Sequence, residues 1–478
     1  MPYRPDPRVL QLGPPHGPGE LWDEVPAAAF PSLTLRFRNQ VHAARVGLDH
    51  LSDAEWERHF GRFAPLPDNL PRPLALRYHG HQFQHYNPRL GDGRGFLYAQ
   101  VRDDAGRLLD LGTKGSGTTP WSRGGDGRLT LKGGVREVLA TEMLEALGAD
   151  TSKSFSLYET GESLARNDEP SPTRGSVLVR LSHSHVRIGT LQRLAALGDR
   201  ARMAALVDYV GQALIPGVDG PEALLRATVA RTARTTAQWM VAGFVHGVLN
   251  TDNINLTGES FDYGPWRFLI AYDPEFTAAY FDEAGLYAYG EQPVALRWNL
   301  ARLHESLSIL GPLSGEPLFE FVPVYREALR AQLLWRLGLA PRGEVADDTL
   351  ARAAFAFLED VRLPVDRFFF DAYGGEARVP ATLAGPFARW YQRPSFEALR
   401  QAWAEHVPAQ PAKLADPYLT RPGPVTMVIS AVEGVWDAIA TYDDWAPFER
   451  LVGEVRELGR FLAAGPPPTT PPASEPPR

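Results

Sequence analysis

The hydrophobic pattern of this chain changes once along its length, and that change restricts the folds that it can adopt. Between residues 75 and 190, short apolar runs alternate with Gly-rich turns, which is typical of β-strands. The runs FLYAQV (96–101) and LLDLGTK (108–114) flank a polar turn and are predicted to form a β-hairpin. SVLVRLS (176–182) is predicted to be a further strand. The first part of the chain is therefore predicted to be rich in strands.

From residue 195 onward, apolar residues recur with the spacing of helices. The longest helical patterns cover residues 191–214 and 221–247, and one predicted strand, WRFLIAYD (266–273), interrupts the helical part. A single amphipathic helix, VREVLATEMLEALG (135–148), falls inside the strand-rich part and ends at a glycine. This order predicts the α+β class, with a ligand site in a cleft between the two parts.

The composition excludes several kinds of protein. The chain has no cysteine, which excludes disulfides, thiolate metal sites and a cysteine nucleophile. A net charge of −8 gives no overall positive surface for nucleic acid. No segment has the apolar length of a signal peptide or a membrane span, so we expect a cytoplasmic protein without membrane or nucleic-acid partners.

The 478 residues exceed the usual size of one domain. We expect an N-terminal extension over residues 1–74, a strand-rich unit over 75–192 and a helical unit over 193–460. Residues 461–478 consist mainly of proline and small polar residues. Such a segment cannot bury enough apolar area to fold, so we expect it to be disordered.

Lys114 and Glu137 form a sequence pattern that protein kinases use to hold nucleotide phosphates. Lysine occurs only at positions 114, 132, 153 and 413, and Lys114 ends the second strand of the predicted hairpin. Glu137 follows in the first turn of the predicted helix. The residues alone also allow an ordinary lysine at a strand end and a solvated glutamate that the helix dipole favours.

Two glycine-rich segments surround Lys114. In LGDGRG (90–95), backbone amides can approach phosphate oxygens and Arg94 adds positive charge, although a simple hairpin turn is the alternative. The second segment, GSGTTPWSRGGDGR (115–128), does not match the Walker pattern because its lysine precedes the glycines.

VLVRLSHSHVR (177–187) contributes two arginines to the candidate site. On one regular strand, the seven-residue separation of Arg180 and Arg187 would place them on opposite faces. Both can serve one anion only if the strand ends near Ser182 and the chain then turns.

Two groups of histidines resemble metal sites by number alone. His183 and His185 could bind a metal from one strand face, but no third ligand is evident, and polar residues are common at strand ends. His79, His81 and His85 fit no common zinc spacing, and we interpret them as polar or helix-capping residues.

HGVLNTDNINL (246–256) concentrates amide and carboxylate side chains after a long helical pattern. Asp252 and Asn253 are adjacent, and Asp262 follows ten positions after Asp252. An Asn carbonyl with an Asp carboxylate is a normal oxygen-ligand pair for Mg²⁺ when phosphates complete the coordination shell. A second carboxylate close by can orient or deprotonate a nucleophile. The alternative is that these side chains only bond backbone amides after the helix ends near Gly247.

Taken in order, these segments resemble the selenoprotein O family, whose members have a protein-kinase-like fold. The matching pieces are GHQF, LGDGRG, GTKGSG, GDGR, SHVR and, most specifically, HGVLNTDN with DYGP. The resemblance is dense over residues 80–275 and thinner to about 455. It implies a bilobal fold, with a strand-rich N-lobe, a larger helical C-lobe and extensions.

Members of that family transfer AMP from ATP to protein hydroxyl groups. The resemblance therefore implies an adenylyltransferase that modifies serine, threonine or tyrosine and releases pyrophosphate. It implies ATP as substrate, Mg²⁺ or alternatively Mn²⁺ as the metal, and protein substrates as partners of a monomeric enzyme.

The resemblance also assigns roles to residues. Asp252 matches the catalytic proton acceptor, Asn253 and Asp262 match the metal ligands, and Glu137 matches the ion-pair partner of Lys114. The residues implied to bind ATP are Gly91, Gly93, Arg94, Lys114, Asp126, Gly127, Arg180, Arg187 and Asp262.

Two other functions remain compatible with these residues. An ATP-dependent kinase would use similar groups but would present the γ-phosphorus to its substrate. A catalytically inactive pseudokinase scaffold would bind nucleotide without turnover. Sequence spacing does not distinguish transfer from the α- and γ-positions, so only the resemblance favours the α-position.

Overall fold

The structure, a computed structural model, describes residues 1–13, 21–167 and 169–463, and most of its strands precede its long helices. The strands are β1 (Trp22–Glu24), β2 (Thr34–Arg38), β3 (Leu74–Leu76), β4 (Gly80–Gln82), β5 (His85–Asn87), β6 (Leu97–Arg102), β7 (Leu108–Lys114), β8 (Leu129–Thr130), β9 (Lys153–Leu164), β10 (Thr173–Ser182), β11 (Phe244–Val245) and β12 (Arg267–Phe268). The α-helices are α1 (Gln40–Arg45), α2 (Asp53–Phe60), α3 (Leu131–Ala146), α4 (Ile188–Ala196), α5 (Arg200–Tyr209), α6 (Gly220–Ala242), α7 (Gln292–Leu307), α8 (Phe321–Leu337), α9 (Glu344–Val361), α10 (Val365–Asp371), α11 (Val379–Ala384), α12 (Pro394–Trp403), α13 (Ile429–Tyr442) and α14 (Ala446–Ala463).

One antiparallel sheet organises the strand-rich part. Its order is β1-β3-β6-β7-β10-β9-β2, and β8 pairs with β10. The predicted hairpin is confirmed as β6–β7, and the predicted strand at 176–182 lies within β10. β4 and β5 form a separate two-stranded hairpin. The chain is therefore a mixed α/β protein with an antiparallel sheet.

The register of β7 with β10 brings two cationic side chains to one face of the sheet. Lys114 lies opposite Leu178, and Gly112 lies opposite Arg180. Opposed residues share a face, and every second residue along a strand returns to it. Lys114 and Arg180 therefore project from the same face.

Helix α3 lies close to β9 and β10. It begins after Thr130, whose side chain accepts the N–H of Gly133 at 3.1 Å as an N-cap. Glu137, on this helix, is fully buried, so the interpretation of it as a solvated glutamate is wrong. The predicted apolar stripe is confirmed as buried, at Val135, Val138, Leu139, Met143, Ala146 and Leu147.

The predicted helical pattern over 191–214 is interrupted. The α-helices α4 and α5 are separated at Gly198, which has a left-handed φ of 65°. Asp199 then caps α5, because its side chain accepts the N–H of Arg202 at 3.0 Å. Periodicity alone did not show this break.

Two predictions near the end of α6 are wrong. The helix stops at Ala242 instead of near Gly247, because Gly243 takes the left-handed conformation that ends it. The strand predicted over 266–273 is only Arg267–Phe268, since its partner β11 also has just two residues.

No helix in the described part of the chain is both long enough and apolar enough to cross a bilayer. The tail predicted to be disordered, 461–478, lies outside the described residues except for 461–463, which end α14.

The two C-terminal helices contact α3 through ion pairs. Arg456 of α14 donates to both carboxylate oxygens of Glu142, at 2.7 and 2.9 Å. Glu433 of α13 accepts from Lys132 at 2.6 Å. The last helices of the chain therefore hold the helix that carries Glu137.

We expect Arg456→Ala to lower the free energy of unfolding by about 1–3 kcal/mol, measured by urea denaturation. The carboxylate of Glu142 is only 5% exposed and would keep only the amide of Asn39, at 3.3 Å, among its described side-chain partners. Arg450→Ala on the exposed side of the same helix is the matched control and should change stability by less than about 0.5 kcal/mol. Equal effects of the two variants would contradict a stabilising role for the pair.

Candidate active site

A cleft of about 840 Å³ lies between loops of the strand-rich part and the segment that follows α6. This volume is in the range of pockets that bind small molecules. Glu137 lies behind the wall of the cleft. The other predicted site residues all line it: Gly91, Gly93, Arg94, Lys114, Asp126, Gly127, Arg180, Arg187, Asp252, Asn253 and Asp262.

Four charged side chains form a closed network at one wall of the cleft. Lys114 Nζ lies 2.6 Å from Glu137 Oε2 and 2.9 Å from Asp262 Oδ1. Arg180 bridges the same two carboxylates, at 3.2 Å to each. Each cation thus contacts both anions, which offsets the cost of removing these charges from water.

Asp262 faces the cleft from this network as a carboxylate. Burial alone would raise its pKa, but the attraction of Lys114, Arg180 and Arg187 outweighs burial and holds the pKa well below its usual range. The backbone at Asp262 is left-handed, with a φ of 64°, a conformation that aspartate tolerates better than most residues. The local turn therefore directs an ionised oxygen ligand toward the cleft.

Arg187 adds a third cationic side chain beside Lys114 and Arg180, and these three residues are called the positive wall of the cleft. Its guanidinium donates to the backbone oxygen of Asp252 at 3.1 Å and to Asp92 Oδ1 at 3.4 Å, and it stacks 4.2 Å from the ring centroid of Tyr78. The side chain of Asp92 is 12% exposed, and its partial burial raises its pKa, although Arg187 opposes the increase. Arg187 is thus fixed by contacts on several sides.

The strand carrying Arg180 ends at Ser182, which is the condition predicted for Arg180 and Arg187 to serve one anion. The chain then turns, and Arg187 stands immediately before α4. The sequence did not identify Asp92 as a site residue, although it occupies the centre of LGDGRG. In that segment only the glycines and Arg94 were predicted to contact a ligand, and its one carboxylate was not.

Close packing explains why two positions in the glycine-rich segments are glycine. A Cβ at Gly91 would lie 2.4 Å from the ring of Trp121, and one at Gly127 would lie 2.2 Å from the backbone oxygen of Gly117. The segment 90–95 connects β5 to β6, which belong to different sheets, so the interpretation of it as a hairpin turn is wrong. The two glycine-rich loops pack against each other and expose backbone to the cleft.

Asp126 lies at the rim of the cleft, where it accepts from Arg166 at 2.8 and 3.1 Å and from the N–H of Arg128 at 3.0 Å. Arg166 also lines the cleft. The sequence did not single out Arg166, because it lies in the β9–β10 connection without a recognisable motif.

Asp252 lies on a short 3-10 turn, Thr251–Asn253, with its Oδ1 buried. Within the described residues this oxygen has no hydrogen-bond partner. A Cβ at Gly80 would come within 2.9 Å of it, so glycine at this position allows the backbone to approach the carboxylate closely. Burial raises the pKa of Asp252 to about 6, and Arg187 only partly opposes that rise.

The neighbours of Asp252 have different bonding patterns. Asn253 Nδ2 donates to the backbone oxygen of Val248 at 3.0 Å, which leaves the amide oxygen as its remaining polar group. Asn250 and Asn255 accept backbone N–H groups, as the capping alternative requires. Asp252 Oδ1 does not, so capping does not explain the catalytic candidate.

The histidines have other partners. His183 lies 3.0 Å from the backbone oxygen of Leu214, and His185 lies 3.3 Å from Asp110. His79 contacts the hydroxyl of Tyr86 at 2.6 Å. In the part of the chain that the structure describes, no three His, Cys, Asp or Glu side chains converge on one point.

The cleft therefore combines an anion-binding wall with a carboxylate that can accept a proton. Lys114, Arg180 and Arg187 supply positive charge, while Asp252 supplies a carboxylate that lines the same cleft. This combination suits the transfer of a phosphorus-containing group to a hydroxyl.

Comparison with known proteins agrees with this chemistry. A family model described as "Protein adenylyltransferase SelO" matches residues 15–456. A protein nucleotidyltransferase YdiU of Gloeobacter violaceus is 45% identical over 467 residues, which are 92% of this chain and 93% of the relative. The YdiU of a Synechocystis species is 43% identical, with coverage of 94% and 97%, and that of Mycolicibacterium paratuberculosis is 34% identical, with coverage of 90% and 88%.

We expect Asp252→Asn to stabilise the metal-free protein above pH 6. Because the folded-state pKa is raised from 3.8 to about 6, the folded protein retains the proton to higher pH, and stability falls as pH rises through this window. The full penalty above pH 6 is on the order of 3 kcal/mol. Urea unfolding in a chelator should therefore show a gain of about 2–3 kcal/mol at pH 8 and little gain at pH 4.

The matched control for this experiment is Asp273→Asn, which changes a partly exposed carboxylate downstream of the site. It should alter stability at pH 8 by less than about 0.5 kcal/mol. An Asp252→Asn variant that is no more stable than the wild type at pH 8 would show that burial of the ionised carboxylate does not destabilise the folded protein.

Proposed function

The chain belongs to the protein adenylyltransferase SelO family, and we propose how its cleft transfers AMP from ATP to a hydroxyl group of a protein. The observation that carries the proposal is the placement of the charged network of Lys114, Glu137, Arg180 and Asp262 at the wall of the cleft that Asp252 also lines. The first group suits phosphates, and the second suits an incoming hydroxyl.

We further propose that the chain has a bilobal, protein-kinase-like fold. Residues 75–192 would form the N-lobe and residues 193–460 the C-lobe with its extension, while residues 1–74 add β1 and β2 to the sheet. Support comes from the antiparallel sheet that precedes the helices and from the strand lysine paired with a helix glutamate.

The triphosphate of ATP would lie against the positive wall. Lys114, Arg180 and Arg187 would contact phosphate oxygens, and the glycine-rich loops containing Gly91, Gly93 and Gly127 would supply backbone amides. Arg94 and Asp126 line the outer part of the cleft and would contact the rest of the nucleotide.

The oxygen donors in the cleft fit a hard divalent cation. The amide oxygen of Asn253 and the carboxylate of Asp262 would hold Mg²⁺, or alternatively Mn²⁺, together with phosphate oxygens. When bound, the cation would offset negative charge on the phosphates. The low pKa of Asp262 keeps this ligand ionised across the physiological range.

Asp252 would act as the proton acceptor. As the acceptor hydroxyl attacks the α-phosphorus, a new P–O bond forms and the proton passes to the Asp252 carboxylate. The bond between the α-phosphorus and the oxygen bridging to the β-phosphate breaks, and pyrophosphate leaves with the electron pair. Lys114 and Arg180 would stabilise the negative charge that accumulates on the phosphates.

ATP labelled at the α- or the γ-position tests this proposal. We expect the wild type to transfer label to protein from the α-position only, with release of pyrophosphate. Asp262→Ala should lower the rate by about a hundredfold or more, which corresponds to about 3 kcal/mol of transition-state stabilisation. Asp273→Ala, outside the cleft, is the matched control and should retain the wild-type rate.

Two outcomes would contradict the proposal. Transfer of label from the γ-position alone would identify a kinase. ATP binding without transfer of label, with either Mg²⁺ or Mn²⁺ present, would identify a scaffold. Full activity of Asp262→Ala would remove that carboxylate from the reaction even if α-label were transferred.

A further inference from the structure

Three aromatic side chains form an exposed surface close to the turn that carries Asp252. Tyr280 is 86% exposed and Phe281 is 49% exposed, while Phe83 is half-buried. The ring centroid of Phe281 lies 5.2 Å from that of Tyr280 and 5.8 Å from that of Phe83. We name Phe83, Tyr280 and Phe281 the aromatic ledge. Large exposed apolar groups that cluster in this way mark interaction sites.

The aromatic ledge is fixed to the candidate catalytic segment by hydrogen bonds. Asn250 Oδ1 accepts the N–H of Phe83 at 3.0 Å and the hydroxyl of Tyr287 at 2.8 Å. The ring of Tyr287 also packs 4.9 Å from that of Phe83. Because Asn250 stands two positions before Asp252, the ledge and the proton acceptor share one short stretch of backbone.

The β4–β5 hairpin presents Phe83 through an unfavourable backbone conformation. Phe83 and Gln84 form its turn, with left-handed φ values of 48° and 64°. Glycine and asparagine are the usual residues in such turns, and a bulky residue there is an outlier. Surrounding contacts hold the strain, which is common near functional sites.

The aromatic ledge is continuous with the cleft. Gln82, which precedes Phe83, lines the cleft directly. The N–H of His81 donates to Thr251 Oγ1 at 2.7 Å, which ties the hairpin to the turn bearing Asp252. A segment that enters the cleft to reach Asp252 can therefore lie along the hairpin and over the ledge.

We propose that the aromatic ledge binds the protein substrate through an aromatic or long aliphatic side chain close in sequence to the acceptor hydroxyl. This inference rests on the proposed function. Asn250 and Asp252 are separated by at most about 7 Å of backbone. An extended segment advances about 3.3 Å per residue, so a side chain on the ledge and an acceptor at Asp252 would belong to the same short segment.

The size of the ledge favours a short substrate segment over a second copy of the chain. An aromatic side chain buries about 150–250 Å² at most, and these three rings are already partly covered. A stable interface buries about 800 Å² on each partner, which is more than the ledge can supply. A few aromatic anchors are sufficient, however, to orient one segment.

Short peptides that contain one Ser, Thr or Tyr in an Ala/Gly/Lys background test the inference. Each peptide carries Phe, Leu, Asp or Ala at one position near the acceptor, and transfer of α-labelled AMP is measured. The wild type should prefer Phe or Leu at one such position by about tenfold or more in kcat/KM. The double variant Tyr280→Ser/Phe281→Ser should lose this preference while retaining the wild-type KM for ATP.

The matched control is Phe319→Ser, because Phe319 is 77% exposed but lies in the 3-10 helix Glu316–Glu320 of the helical part. It should preserve both rate and preference. A wild type without side-chain preference, or a preference that survives in the double variant, would overturn the inference while leaving adenylyl transfer established.

A binding measurement separates failure of the ledge from failure of the proposed function. If no peptide is modified with α-labelled AMP, the binding of a fluorescently labelled Phe-containing peptide is measured by anisotropy with ATP present. This measurement tests the ledge independently of AMP transfer. At least about tenfold weaker binding to the double variant supports the ledge, and equal binding overturns it. Concentration-dependent dimerisation that the double variant abolishes, seen by sedimentation velocity, would assign the ledge to a second copy and also overturn the inference.

Discussion

The buried network of Lys114, Glu137, Arg180 and Asp262 is the interaction on which the rest of the molecule depends. It joins β7, α3, β10 and the segment after α6, which are far apart in the sequence. Removing any member would leave an opposite charge buried without its full complement of partners, which is strongly unfavourable. The contacts that join these elements are therefore also the contacts that set the electrostatics of the cleft.

This dependence explains why elements distant from the cleft affect it. Helix α3 contributes Glu137 to the network, and α13 and α14 contact the same helix through Glu433 and Arg456. The C-terminal helices thus restrain a component of the site without lining the cleft. Rigid support of this kind keeps charged groups in position before the substrate arrives, which is where electrostatic catalysis gains most of its advantage.

The sequence predicted those features that local patterns determine. Alternating apolar runs identified the β6–β7 hairpin, and helical spacing identified the buried stripe of α3. The separation of Arg180 and Arg187 correctly required a strand end near Ser182. Each of these inferences needed only the geometry of one or two neighbouring elements.

Features that depend on tertiary contacts were missed. The pairing of Glu137 with Lys114 was predicted, but its full burial was not, because Glu137 is polar and lies off the apolar stripe. Asp92 gains its role from Arg187, which lies on another element. No local signal shows that Gly80 stands beside Asp252. That last contact means that one methyl group at position 80 would come within 2.9 Å of Asp252 Oδ1, so a single carbon atom would displace the carboxylate on which the proposed proton transfer depends.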